Sequence, residues 1–190
     1  MSEAQLYALA VALAWIAGVR AYLAVFAIGL AGLSGWISLP GELALCQSPW
    51  VLAVSGVLTV IEFSADKIPG VDSGWDLLQT LVRIPAGAFL AGATLGDAEA
   101  GLSTAGLMAG SVAALSAHAL KSATRAAINT SPEPASNWMA SASEDGLAVA
   151  ALPLAFVNPW LALLLVVIGS LLLFLTVLWV LRRLLRVATR

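Results

Sequence analysis

From Trp160 to Leu181 the chain runs for 22 residues without a charged side chain, and Arg182, Arg183, Arg186 and Arg190 follow at once. A helix of about 20 apolar residues crosses the hydrocarbon core of a bilayer. The run is therefore read as a transmembrane span with a basic tail, not as the buried helix of a water-soluble domain. Four of the nine basic residues lie in that tail, so the positive-inside rule places the C-terminus in the cytoplasm.

The rest of the chain is of the same kind. Of its 190 residues 61% are hydrophobic and 11% charged, and the mean hydropathy is +0.95. A soluble domain carries about 25% charged residues, so these are too few to cover a water-facing surface. The net charge of −2, with no basic face outside the tail, gives no reason to expect a nucleic-acid partner. Cys46 is the only cysteine, which excludes an intrachain disulfide and a cysteine-based metal site. Met1-Ser2-Glu3-Ala4 lacks the basic segment of a signal peptide, and the first apolar run is read as a retained helix.

The expected architecture is a single all-α membrane domain over residues 1–190, a polytopic bundle with spans near 6–33, 50–66, 77–95, 103–128, 138–157 and 160–181. The run 6–33 carries Arg20 at its middle and reads as one tilted helix or two short ones; taken as one, it gives six spans and two cytoplasmic termini. The stretch from Leu39 to Pro49 is expected as an external loop, Asp97–Glu99 and Asn158-Pro159 as tight external turns, and 67–76 and 129–137 as internal connections. Gly92/Gly96 and Gly106/Gly110 flank the Asp97–Glu99 turn at the small-xxx-small spacing that lets helix backbones approach closely, which predicts a tight hairpin.

Two middle helical hairpins look like a repeat with the charges reversed. The first has Glu62 and Asp66, a Pro/Gly/Ser loop, Trp75-Asp76 and then Arg83; the second has Lys121 and Arg125, a Pro/Ser loop, Asn137-Trp138 and then Glu144-Asp145. Residues four apart share a helix face and lie ~6 Å apart along it. Each like-charged pair repels unless an opposite pair faces it, so Glu62 and Asp66 are expected to meet Lys121 and Arg125, and Arg83 to meet Glu144 or Asp145. With the tryptophans at the membrane interface, all these charges fall in one layer of the cytoplasmic half of the bilayer. One such residue at a span centre costs about 2.5–3.5 kcal/mol on insertion, so together with Arg20 they must face each other or water.

Intramembrane ionisable residues are a functional hypothesis by default, and the alternative is an ion-pair network that fixes helix register. Pro85 and Pro153 would free the carbonyls of Leu81 and Val149, opening or lining a cavity. The loops contribute Lys67, Asp72, Asp76, Asn129, Ser131, Glu133 and Asn137 as gate or ligand candidates, against the plainer reading of polar connections. His118 lies one turn before Lys121, but no HExxH or paired-histidine spacing accompanies it, and lysine and arginine beside the carboxylates would compete with a metal cation. No P-loop, dinucleotide fingerprint or nucleophile elbow is present, so no metal, cofactor or catalytic residue is expected.

Ile61-Glu62-Phe63-Ser64-Ala65-Asp66-Lys67-Ile68-Pro69, the following Val71-Asp72-Ser73-Gly74-Trp75-Asp76, and Arg83-Ile84-Pro85-Ala86-Gly87-Ala88 resemble the small bacterial membrane proteins classed as domain of unknown function 4126. Thr130-Ser131-Pro132-Glu133-Pro134, Ser136-Asn137-Trp138 and Ser143-Glu144-Asp145-Gly146 are similar to that family too, and the resemblance covers roughly residues 10–160. It implies a helical fold and a location in the bacterial inner membrane, and it adds no chemistry.

The leading functional expectation is a small transporter or channel-like protein, homo-oligomeric in the lipid bilayer, for a small polar or anionic solute or ion. Arg20, Arg83, Lys121 and Arg125 would attract an anionic group, and Glu62, Asp66, Glu144 and Asp145 would balance them and carry coupled protons. A structural or accessory protein is the second expectation. An enzyme acting on a lipid head group, with Glu133, Glu144 or Asp145 as acid or base, is the third.

Overall fold

A computed structural model describes residues 1–39, 41–68, 71–97, 101–128 and 134–188. They form six α-helices: α1 (Glu3–Leu33), α2 (Pro49–Ala65), α3 (Val71–Thr94), α4 (Thr104–Ile128), α5 (Pro134–Val157) and α6 (Pro159–Ala188), with a short 3-10 helix at Gly41–Gln47 before α2. No strand occurs among the described residues, so the fold is the expected all-α bundle.

The centre of the bundle is α1. Its start is fixed by a capping box: the Ser2 backbone N–H donates to Gln5 Oε1 (2.8 Å), and the Gln5 N–H donates to Ser2 Oγ (3.3 Å). Small and apolar residues surround its axis on all sides, and such a helix belongs in a core. It packs against each of the other five helices. The helix breaks at Arg20, whose φ of −142° and ψ of 76° are not helical, and the run continues to Leu33. One run with a break at its charged residue thus replaces the choice between one helix and two. A break at this depth is tolerable because protein surrounds it: Arg20 is fully buried.

Four of the helices are long and apolar enough to cross a membrane, and a fifth span results if the 3-10 helix and α2, bent by 67°, are taken together. α4 has the length, at 25 residues, but is less apolar. The contrast between two of the candidates is informative. In α1 67% of the most apolar stretch is buried by protein, whereas in α6, the most apolar of all, 12% is. α6 needs another apolar medium for its outer face, and the bundle is a membrane-embedded protein.

The expected tight hairpin is formed by α3 and α4. A Cβ on Gly106 would lie 2.6 Å from the Ala91 carbonyl oxygen, and one on Gly110 would lie 2.5 Å from that of Gly87. Gly87 itself faces Ala114 and the Ala14 carbonyl, so the seam extends a turn beyond the two GxxxG patterns and onto α1. These are backbone obstacles and cannot rotate away. Gly110→Val is expected to destabilise the protein by about 1–3 kcal/mol through overpacking, read as a lower melting temperature in detergent. Gly146→Ala, whose added methyl meets nothing within 4 Å, serves as the neutral control.

Three sequence boundaries are corrected. Helix α3 begins at Val71 and not near Leu77, so Asp72 and Asp76 are helical and not loop residues. Aspartate and serine favour both loops and helix first turns, where their acceptors suit the exposed N–H groups and the dipole; composition alone did not separate the two. Helix α5 begins at Pro134, a residue suited to a first turn. The segment after α1 is more than an external loop: its 3-10 helix buries Leu43 and Cys46, and Cys46 passes so close to Gly29 that a side chain there would strike its backbone.

Candidate functional site: a buried ionic cluster

Five helices place charged residues on the faces they turn inward. On α2 and its C-cap, Glu62 and Asp66 are four apart; on α3, Asp76, Thr80 and Arg83 follow at i, i+4, i+7; on α4, His118, Lys121 and Arg125 follow at i, i+3, i+7; on α5, Ser141, Glu144 and Asp145 follow at i, i+3, i+4. Each set occupies one helix stripe. Arg20 enters from the break in α1. Arg20, Glu62, Asp66, Arg83, Lys121 and Arg125 are each at most 1% exposed, and Asp76 and Glu144 are also buried.

Arg20 is the hub. Its NH1 makes a close ion pair with Asp66, its NH2 lies 2.5 Å from Asp145 Oδ1, and Glu144 (3.7 Å) and Glu62 (3.9 Å) complete its surroundings. The Phe63 ring lies 5.3 Å from its guanidinium carbon. Lys121 Nζ stands between Asp66 Oδ2 (3.0 Å), Asp76 Oδ1 (3.2 Å) and Glu144 Oε2 (3.6 Å). Arg125 grips Glu144 with two bonds, Nε to Oε1 (3.1 Å) and NH2 to Oε2 (2.9 Å), and its NH1 donates to the Asp66 carbonyl (3.3 Å) at the end of α2. Arg83 donates to Glu62 Oε1 and to Asp76 Oδ1, both at 2.7 Å.

The layer inferred from the sequence is thus one connected cluster, with some of its partners exchanged. Asp66 meets Lys121 as expected. Arg83, however, meets Glu62 and Asp76 and not Glu144 or Asp145, because α3 packs on α1 and α4 while α5 packs on α1 and α6. Helices α2 and α3 hardly touch along their lengths, nor do α4 and α5; the tight pair is α3 with α4. Each repeated hairpin is instead tied by a close acid–base bridge, Glu62–Arg83 in the first and Arg125–Glu144 in the second, with the signs reversed, and Lys121 adds a longer contact to Glu144 in the second.

Several contributors were missed or misplaced. Asp76, read as a loop candidate, is a buried member of the cluster. The i, i+7 spacing from Asp76 to Arg83 was the available signal, once α3 is known to start early. His118 is a spacer: Arg83 NH1 donates to its Nδ1 (3.0 Å), which leaves Nε2 to carry the proton and donate to Thr80 Oγ1 (2.7 Å). Lys67 sits at the rim, about a third exposed, 3.7 Å from Asp145. Asn129, Ser131 and Glu133 lie outside the described residues, as do the side chains of Asp72 and Asn137. Glu144, the acid–base candidate of the enzyme reading, has both oxygens engaged by Arg125. Leu81 and Pro85 are exposed, so the carbonyl freed by Pro85 is on the outer side of the bundle and not in the cluster. Among the described residues, no three His, Cys, Asp or Glu side chains are grouped to hold a metal ion.

The bonding is incomplete. Glu62 Oε2, Asp66 Oδ1 and Asp76 Oδ2, with the Nε atoms of Arg20 and Arg83, are buried without a hydrogen-bond partner. Beside the cluster, a groove of 330 Å³ between α3 and α4 is lined by Asp76, Thr80, His118, Ser122 and Arg125 along with apolar residues.

These features define a class: a membrane-embedded helical bundle with a dense ionic cluster at its core. Within that class the chain belongs to the family described as domain of unknown function (DUF4126), whose family profile matches residues 7–183. No curated protein and no solved structure matches it.

Proposed function

We propose that this is a multi-pass transport protein of the bacterial inner membrane, with six spans and a cytoplasmic C-terminus, whose ionic cluster passes protons or a small hydrophilic solute coupled to them. The observation that carries this reading is the cluster's unpartnered carboxylate oxygens on Glu62, Asp66 and Asp76. A network serving stability alone gains only when every lone pair is satisfied, because half-satisfied buried charges cost more than an apolar core. Orphan acceptors among paired charges suit groups that exchange protons or water. Glu62, Asp66, Asp76, Glu144 and Asp145 are matched in number by Arg20, Lys67, Arg83, Lys121 and Arg125, with Lys67 and Asp145 paired at the rim. Each of those cations already has a carboxylate partner, which moves the reading from an anionic cargo towards the proton.

The test is proton flux into proteoliposomes loaded with a pH-sensitive dye, driven by a potassium diffusion potential of either sign. The wild type is expected to collapse the gradient at least tenfold faster than empty liposomes, and Glu62→Gln and Asp76→Asn to lose that excess while remaining monodisperse. A wild type no faster than empty liposomes at both polarities rejects the reading. The second reading, a structural or accessory protein, is favoured by one observation: the pairs are closed directly, at 2.5–3.2 Å, without a gap for a solute. It expects no flux from any variant. The outer face of α6 suits either lipid or a second copy, and a homo-oligomer is expected to appear as a ladder on crosslinking in native membranes.

A further inference from the structure

Two grooves on the flank of the bundle differ in chemistry. One, of 410 Å³ between α1, α2 and α3, is walled by Val25, Trp50, Val54, Leu58 and Val82 and suits acyl chains. The other is the 330 Å³ groove between α3 and α4, where Asp76, Thr80, His118, Ser122 and Arg125 bring carboxylate, hydroxyl, imidazole and guanidinium groups to the wall. Thr80, His118 and Arg125 are already bonded within the protein and Leu77, Ala119 and Ala126 are apolar, so Ser122 and Asp76 are the lining groups that water would serve and acyl chains would not. At ~30 Å³ per water molecule the groove has room for about ten.

The inner wall of the groove is the ionic cluster itself. Asp76 Oδ1 is held by Arg83 (2.7 Å) and Lys121 (3.2 Å), while Asp76 Oδ2 is itself buried and lacks a partner; the side chain as a whole is 4% exposed. His118 bonds Arg83 and Thr80 on its two ring nitrogens, so it is oriented and adds a neutral wall between the groove and Arg83.

We propose that the α3–α4 groove is an aqueous vestibule, and that protons pass from its water into the ionic cluster at Asp76, whose side chain lines the groove. The vestibule rests on the proton-transport reading only for this last step: hydronium gives up a proton, the carboxylate becomes the carboxylic acid, and water remains in the groove. The groups around the Asp76 carboxylate are Arg83, Lys121 and His118, with Arg125 at the groove wall and with Glu62, Asp66 and Glu144 sharing those first two cations.

Cysteine accessibility tests it in the full chain. In a Cys46→Ala background, Ala119→Cys, Ser122→Cys and Ala126→Cys on α4 and Leu77→Cys on α3 line the groove. Val112→Cys and Leu115→Cys, exposed on α4 but outside the groove, report the lipid face. In sealed vesicles of each orientation, a quaternary-ammonium methanethiosulfonate is expected to label groove cysteines at least tenfold faster than the lipid-facing pair, and from one side only. Equal slow rates at all positions, in variants that elute as the parent does, overturn the vestibule. Having positions on both helices guards against one substitution unfolding the protein. Fast labelling with no proton flux leaves the vestibule standing and removes the transport reading. Flux without labelling does the reverse.

Discussion

Arg20→Ala is expected to lower stability by about 3–5 kcal/mol, the usual loss when one partner is removed from a buried ion pair. Arg20 is fully buried at the break in α1, and its guanidinium joins Asp66, at the end of α2, to Asp145 on α5. Without it, two carboxylates keep their burial and lose their nearest cation, with Glu62 and Glu144 within 4 Å of the vacated position. Lysine should recover only part of the loss, since a single ammonium lacks the planar fork that reaches two helices at once. Asp66→Asn added to Arg20→Ala should be milder than the sum of the two, because it removes one of the stranded charges. Residual folded fraction after heating in detergent, read by size exclusion, measures all three. A loss below 1 kcal/mol for Arg20→Ala would show that the core is not organised around this residue.

The sequence made the cluster legible because helical periodicity is a strong signal and charge inside an apolar run is rare. Glu62/Asp66 and Lys121/Arg125 could be placed on faces, and opposite signs implied that they meet. Two things were not legible. The first is partner choice: a stripe says which way a side chain points along its own helix, but not which helices are neighbours. Arg83 therefore takes Glu62 and Asp76, since α5 is placed against α1 and α6. The second is where a helix begins when its first turn is written in loop residues. Val71-Asp72-Ser73-Gly74 reads as a connection, and that reading hid Asp76 among the loops when it is central to the cluster. The α3–α4 seam was legible at Gly92, Gly96, Gly106 and Gly110, but its extension to Gly87 depends on a third helix, α1, passing close by.

Reversing the Arg125–Glu144 bridge is expected to separate the two functional readings. This pair, not Glu62 with Lys121, is the one to reverse, because Glu62 bonds Arg83 while Arg125 and Glu144 share two hydrogen bonds across the second hairpin. Arg125→Glu alone places a third carboxylate beside Asp66 and Glu144 and removes a cation, and Glu144→Arg alone crowds Lys121 and Arg20. Each single change is expected to cost about 3–5 kcal/mol or to prevent folding. Together they restore one acid and one base to adjacent helices and should recover more than half of that loss. Recovery should stop short of complete, because Arg125 also donates to the Asp66 carbonyl at the end of α2, and an arginine at position 144 starts from a different helix. If the cluster only fixes helix register, the doubly reversed protein should behave as the wild type does once it is folded. If protons move through the cluster, position matters as well as sign: Glu144 contacts Lys121 and Arg20 as well as Arg125, and moving that carboxylate to α4 redraws the chain of exchangeable sites. The transport reading therefore expects a protein that folds and elutes normally yet moves protons at least tenfold more slowly than the wild type in the same liposomes.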